Sequence, residues 1–131
     1  MIVIDSSAVV EALVGDPVNS DLLTVIAEEE LHAPALLDFE VSGALRGLVL
    51  GKKLDERRLD EAVEDFGLLH IRRYQMTELL GHVLGLRENF TTYDAAYVVL
   101  AQALDASLVT SDTEMREAEK FGVDVRVLRP E

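Results

Sequence analysis

Hydrophobic positions along the chain follow two patterns. Ile2-Val3-Ile4 and Leu108-Val109 belong to short runs with no polar alternation, which reads as strand buried on both faces, as in a parallel sheet. Other stretches repeat with a helical period: Leu37, Val41, Ala44, Leu45 and Leu48 fall on one stripe at about 100° per residue. The spacing predicts a strand over 2–5, a helix over 7–15, a break at Gly15-Asp16-Pro17 and a helix over 19–29. A strand over 31–34 follows, stopped by Pro34, and then a helix over 36–50 ended by Gly51. Next come a helix over 55–66, a strand over 68–72, helices over 75–87 and 93–104, a strand over 108–111, a helix over 113–121 and a strand over 124–128.

Strands alternating with helices imply right-handed βαβ crossovers. The expected fold class is therefore α/β: one domain over residues 1–131, with a parallel twisted sheet of about five short strands and helices on both faces. No repeat, low-complexity tract or Pro/Gly/Ser linker suggests an internal boundary. The segment Ala95 to Ala101 is almost without polar residues on any face, so this helix is expected to be buried all round.

Two of the apolar strands run straight into a carboxylate, Ile4 into Asp5 and Leu108-Val109-Thr110-Ser111 into Asp112. Ligands of open α/β sheets bind beyond the carboxyl ends of the strands, where strand order reverses. Acids brought together at that edge repel one another unless they share a cation. Asp5 is taken as the functional residue there, with Ser6 or Ser7 capping the helix that follows. Asp94 opens the buried helix where Thr91 and Thr92 already offer a cap, so it is surplus to capping and a ligand candidate. Glu40 lies on the edge of the apolar stripe of its helix; it can reach inward to the crevice or outward to water, and spacing leaves both open. Asp112 is either a site residue or, with Ser111 or Thr113, a helix cap, and Thr110 offers a hydroxyl to orient a carboxylate or a water.

Composition narrows the chemistry. Cysteine is absent, which excludes disulfides and thiolate sites and agrees with a reducing cytoplasm. No apolar run approaches the ~20 residues of a membrane span, and the start carries no basic signal-peptide region. Hard oxygen ligands without Cys or a His cluster point to Mg2+ or Mn2+ rather than zinc, and so to phosphodiester hydrolysis. His32, His70 and His82 show no ligand spacing. The net charge of −13 opposes nonspecific binding to nucleic acid and suits a basic partner. RNA remains a possible substrate if metal offsets the carboxylates and a local basic patch, such as Arg46, Lys52, Lys53, Arg57 and Arg58, holds the backbone. The alternative for those five residues is a solvated helix–turn–helix surface. Tyr93 and Tyr97 flank Asp94 and offer either a base-stacking surface or plain packing.

The order Val3-Ile4-Asp5-Ser6-Ser7, Phe39-Glu40-Val41, Tyr93-Asp94-Ala95-Ala96-Tyr97 and Thr110-Ser111-Asp112 resembles the PIN-domain ribonucleases, and among them the VapC toxins of toxin–antitoxin pairs. The resemblance spans nearly the whole chain, to Phe121-Gly122-Val123 before the last strand. It implies a Mg2+- or Mn2+-dependent endoribonuclease that cuts single-stranded regions of RNA. Matched by position, Asp5, Glu40, Asp94 and Asp112 form the family's acidic tetrad. Asp5, Asp94 and Asp112 would hold metal, and Glu40 would be a further ligand or help to activate water. Thr110 matches the usual Ser/Thr, and Ser6 is a second supporting hydroxyl. The resemblance also implies a homodimer and a cognate antitoxin protein that inhibits it. Two other readings compete. A phosphorelay receiver needs an acceptor Asp after a central strand and a Lys after a later one, and the strand predicted over 68–72 ends in Arg72. A noncatalytic module that binds metal or a basic peptide through the same acids is the second.

Overall fold

In a computed structural model, which describes residues 1–130, five parallel strands form one sheet. They are β1 (Ile2–Ile4), β2 (Leu31–Pro34), β3 (Ile71–Tyr74), β4 (Ser107–Thr110) and β5 (Val125–Val127). Their spatial order is β3-β2-β1-β4-β5. The chain builds outward from β1 through β2 to β3, then returns to the other side of β1 with β4. The reversal therefore falls between β1 and β4, the two strands that run into Asp5 and Asp112. Ile2 pairs with Leu31 on one side and with Ser107 on the other. The ladder continues one step past β1, with Asp5 N–H donating to the Val109 carbonyl at 3.1 Å.

Six α-helices cover the sheet: α1 (Ser6–Val14), α2 (Ser20–Glu28), α3 (Leu37–Leu50), α4 (Glu56–Leu68), α5 (Leu80–Gly85) and α6 (Thr92–Leu104). Helix α1 packs with α3 and α4, while α6 packs with α5 and lies across β1, β2 and β4. Every residue from Ala95 to Ala101 is buried, as the unbroken apolar run demands. The three residues of β1 are fully buried, which is why no polar alternation marks them.

Three expected elements differ from those observed. The third strand lies over 71–74 and not 68–72: Leu68 and Leu69 close α4, Leu69 N–H donating to the Phe66 carbonyl at 3.1 Å. The apolar run there is a helix end, with Leu68 largely exposed. The helix expected over 75–87 is a 3-10 turn, Thr77–Leu79, followed by the short α5. The segment Thr113–Phe121 is 3-10 helix throughout. In a 3-10 helix, side chains three residues apart stack on one face, and Met115, Ala118 and Phe121 meet the core at that spacing.

Gly122 ends this 3-10 helix with φ +82° and turns the chain into β5. A Cβ there would meet no atom within 4 Å, so the cost of a side chain is purely conformational. Gly122→Ala should lower stability by about 1–2 kcal/mol in urea titration; an unchanged midpoint would show that the left-handed turn is not required.

Candidate metal centre

The site is built from the ends of β1 and β4. Asp5 is 5% exposed and is itself the N-cap of α1, its Oδ1 accepting from Ala8 N at 3.1 Å. The cap expected from Ser6 or Ser7 is therefore supplied by Asp5, because the helix starts one residue earlier than the sequence suggests. Ser7 does something else. Its hydroxyl donates to Asp5 Oδ1 at 2.6 Å, lies 3.1 Å from Thr110 Oγ1 and accepts from Ser111 N at 2.9 Å. One hydroxyl thus ties the end of β1 to the end of β4. Thr110 is fully buried, and its Oγ1 accepts from Asp112 N at 3.0 Å, folding the backbone after β4 toward the same edge.

Electrostatics mark Asp5 as unusual. Burial pushes its carboxyl up to about 6, against the hydrogen bonds from Ser7, Thr110 and Ala8 N–H that favour the charged form; the charge on Asp94 adds to the upward push. Asp94 is half-buried, and its carboxyl is also raised, first by burial and then by Asp112 and Glu114. Asp94 is therefore within charge reach of Asp5 on one side and of Asp112 on the other. Glu114, which periodicity gave no reason to single out, joins them from the first turn after Asp112.

Local duties accompany this convergence. Thr91 caps α6 by accepting from Asp94 N at 3.2 Å, and its hydroxyl also stabilises the Asp94 carboxylate. Asp112 caps the following 3-10 helix, its Oδ1 accepting from Glu114 N at 2.9 Å. Among the described residues, no three His, Asp or Glu side chains stand in ready-made coordination geometry. In donor type the set nonetheless fits a hard dication: oxygen ligands only, one of them buried, with mutual repulsion that a shared cation would relieve.

Glu40 joins the group through Tyr97. The Tyr97 hydroxyl donates to Glu40 Oε1 at 2.6 Å, across from α6 to α3. Tyr97 is 1% exposed, so the base-stacking role considered for it is closed and packing holds. Burial first, then the Glu40 hydrogen bond and charge, then the Asp5 charge, push its phenol far above the usual tyrosine range, while Ser6 pulls the other way. Tyr93 is exposed beside the site. A cavity of about 570 Å3 opens beside the β1 and β4 ends: Ser6, Ser7 and Ser111 border it, but none of the four predicted carboxylates does. In the basic stretch, Arg57 and Arg58 both pair with Glu61, at 4.0 and 3.1 Å, along α4.

Ribonuclease VapC1 of Mycobacterium tuberculosis is 36% identical over 129 residues, covering 97% of each chain. Ribonuclease VapC9 of the same organism is 37% identical over 128 residues, covering 98% of each. Among solved structures, PAE2754 from Pyrobaculum aerophilum matches with a TM-score of 0.66 at 21% identity, over 95% of this chain and 87% of that one. FitAcB from Neisseria gonorrhoeae matches with a TM-score of 0.62 at 15% identity, over 95% and 96%; at such identities both speak for the fold alone. The family model described as PIN domain matches residues 2–121. The chain belongs to the PIN-domain family, and its relatives within that family are VapC ribonucleases.

Proposed function

We propose that this protein is a Mg2+- or Mn2+-dependent endoribonuclease acting on single-stranded RNA as the toxin of a toxin–antitoxin pair. The observation that carries the reading is the buried Asp5 at the strand-order reversal, with Asp94 within charge reach of both Asp5 and Asp112. The names of the VapC relatives support the reaction class.

In this scheme Asp5, Asp94 and Asp112 would hold the cation. Thr110 and Ser6 support them, Thr110 through the Ser7 hydroxyl that bonds to Asp5, and Ser6 as the residue that follows Asp5 and opens α1. When bound, the dication supplies charge stabilisation to the phosphoryl oxygens and brings water and phosphate together. Glu40 would orient the attacking water and accept its proton as oxygen adds to phosphorus, and the leaving sugar oxygen, its bond to phosphorus broken, would take a proton from solvent. Tyr93, exposed one residue before Asp94, offers a ring on which a splayed base can stack.

The net charge of −13 makes the cation a condition for holding RNA and favours a basic antitoxin as the cognate partner. A homodimer and a cytoplasmic location complete the proposal; among the described residues no helix is long and apolar enough to cross a membrane. The test is incubation of the purified protein with single-stranded RNA and Mn2+ or Mg2+. Cleavage should appear with either ion and fall to background on adding EDTA. Protein that binds the ion yet leaves RNA intact would favour the noncatalytic module.

A further inference from the structure

We propose that Tyr97 is a positioning residue for the reaction: its buried hydroxyl fixes the Glu40 carboxylate against the cation-binding acids. The inference rests on the nuclease reading above and goes beyond the four acids of that reading.

Glu40 is the acid least constrained by its own element. It sits in the first turn of α3, whose N-cap residue Leu36 offers no side-chain hydrogen bond. Its side chain is partly exposed, and a free glutamate at such a place samples several rotamers. The 2.6 Å bond from Tyr97 removes that freedom by holding one oxygen of the carboxylate. The donor is itself immobile. Tyr97 is 1% exposed in the all-buried stretch of α6, three residues after Asp94 and so on the same helical face. Its phenol also interacts with Ser6, next to Asp5. The Tyr97–Glu40 bond therefore links α6, which carries Asp94, to α3. A buried phenol has one proton to give, and here a carboxylate receives it. Packing alone would be served equally well by phenylalanine, which would leave Glu40 unguided.

Tyr97→Phe keeps the ring and removes the one oxygen. On single-stranded RNA with Mn2+, kcat should fall about tenfold with KM unchanged, while the circular dichroism spectrum stays that of wild type. In a Glu40→Gln background the same change should cost less than about twofold, because the carboxylate it serves has gone. A tenfold loss in both backgrounds, a loss confined to KM, or full kcat in Tyr97→Phe would overturn the inference. Should Tyr97→Phe not fold, Glu40→Asp withdraws the carboxylate from the same hydroxyl at a partly exposed position; wild-type kcat in that variant would overturn it equally. Wild-type protein that does not cut RNA would instead overturn the nuclease reading, a separate and recognisable failure.

Discussion

Asp5→Asn should reduce RNA cleavage by on the order of a thousandfold and, at the same time, make the metal-free protein more stable at neutral pH. Both effects follow from burying one carboxylate among others. Its folded-state pKa of about 6 stands above the ordinary 3.8. Between those values the folded protein binds more protons than the unfolded chain, so stability falls as pH rises through that window and the deficit is complete above it. For Asp5 alone the shift corresponds to about 3 kcal/mol. Asparagine keeps an oxygen to accept from Ser7 and Ala8 N and carries no charge. The variant should therefore exceed wild type by about 1–3 kcal/mol near pH 7.5 and by little near pH 4. Thermal unfolding in EDTA at the two pH values checks the stability, and Mn2+ should raise the midpoint of wild type far more than that of the variant. A variant less stable than wild type near pH 7.5 would show that the carboxylate is welcome in its place without a cation.

Ser7→Ala is the next largest expected change. It deletes a hydrogen bond to a carboxylate and leaves Ser111 N–H without its side-chain acceptor, a combination expected to cost about 2–4 kcal/mol. Because the same hydroxyl joins the β1 and β4 ends, cleavage should drop as well, by about 10- to 100-fold. Ser7→Thr, which keeps the hydroxyl, should retain more of both. Urea unfolding and single-turnover cleavage measure the two effects. Equal behaviour of the Ala and Thr variants would mean that the hydroxyl is not the working group.

The fold was legible where periodicity is strong. The unpatterned runs of β1 and β4 and the apolar α6 declare themselves because each is buried on all sides. The edge strand β3 did not: Arg72 and Arg73 are exposed there, and the more apolar Leu68-Leu69 immediately before it belongs to the end of α4. Asp5, Asp112 and Asp94 stand out at two strand ends and a helix start, whereas spacing leaves Glu40 open and only the family resemblance adds it to the set. Their partners do not stand out. Ser7 reads as one more capping serine, and its contacts with Thr110 and Ser111 span more than a hundred residues of sequence. Tyr97 looks like core in an apolar helix, and nothing along the chain points its hydroxyl at Glu40. The one usable hint was its place three residues after Asp94. Glu114 was hidden in the same way, since an exposed acid after a cap is ordinary until Asp94 is known to lie near it.

The burial of α6 has a consequence for how the protein can breathe. Tyr97 is carried by the buried stretch of the helix that spans β1, β2 and β4, so it is not released by the fraying that mobilises helix ends and peripheral segments. Elements enclosed in this way open only with the molecule as a whole. The hydroxyl that holds Glu40 therefore stays anchored in the interior until the molecule unfolds as a whole.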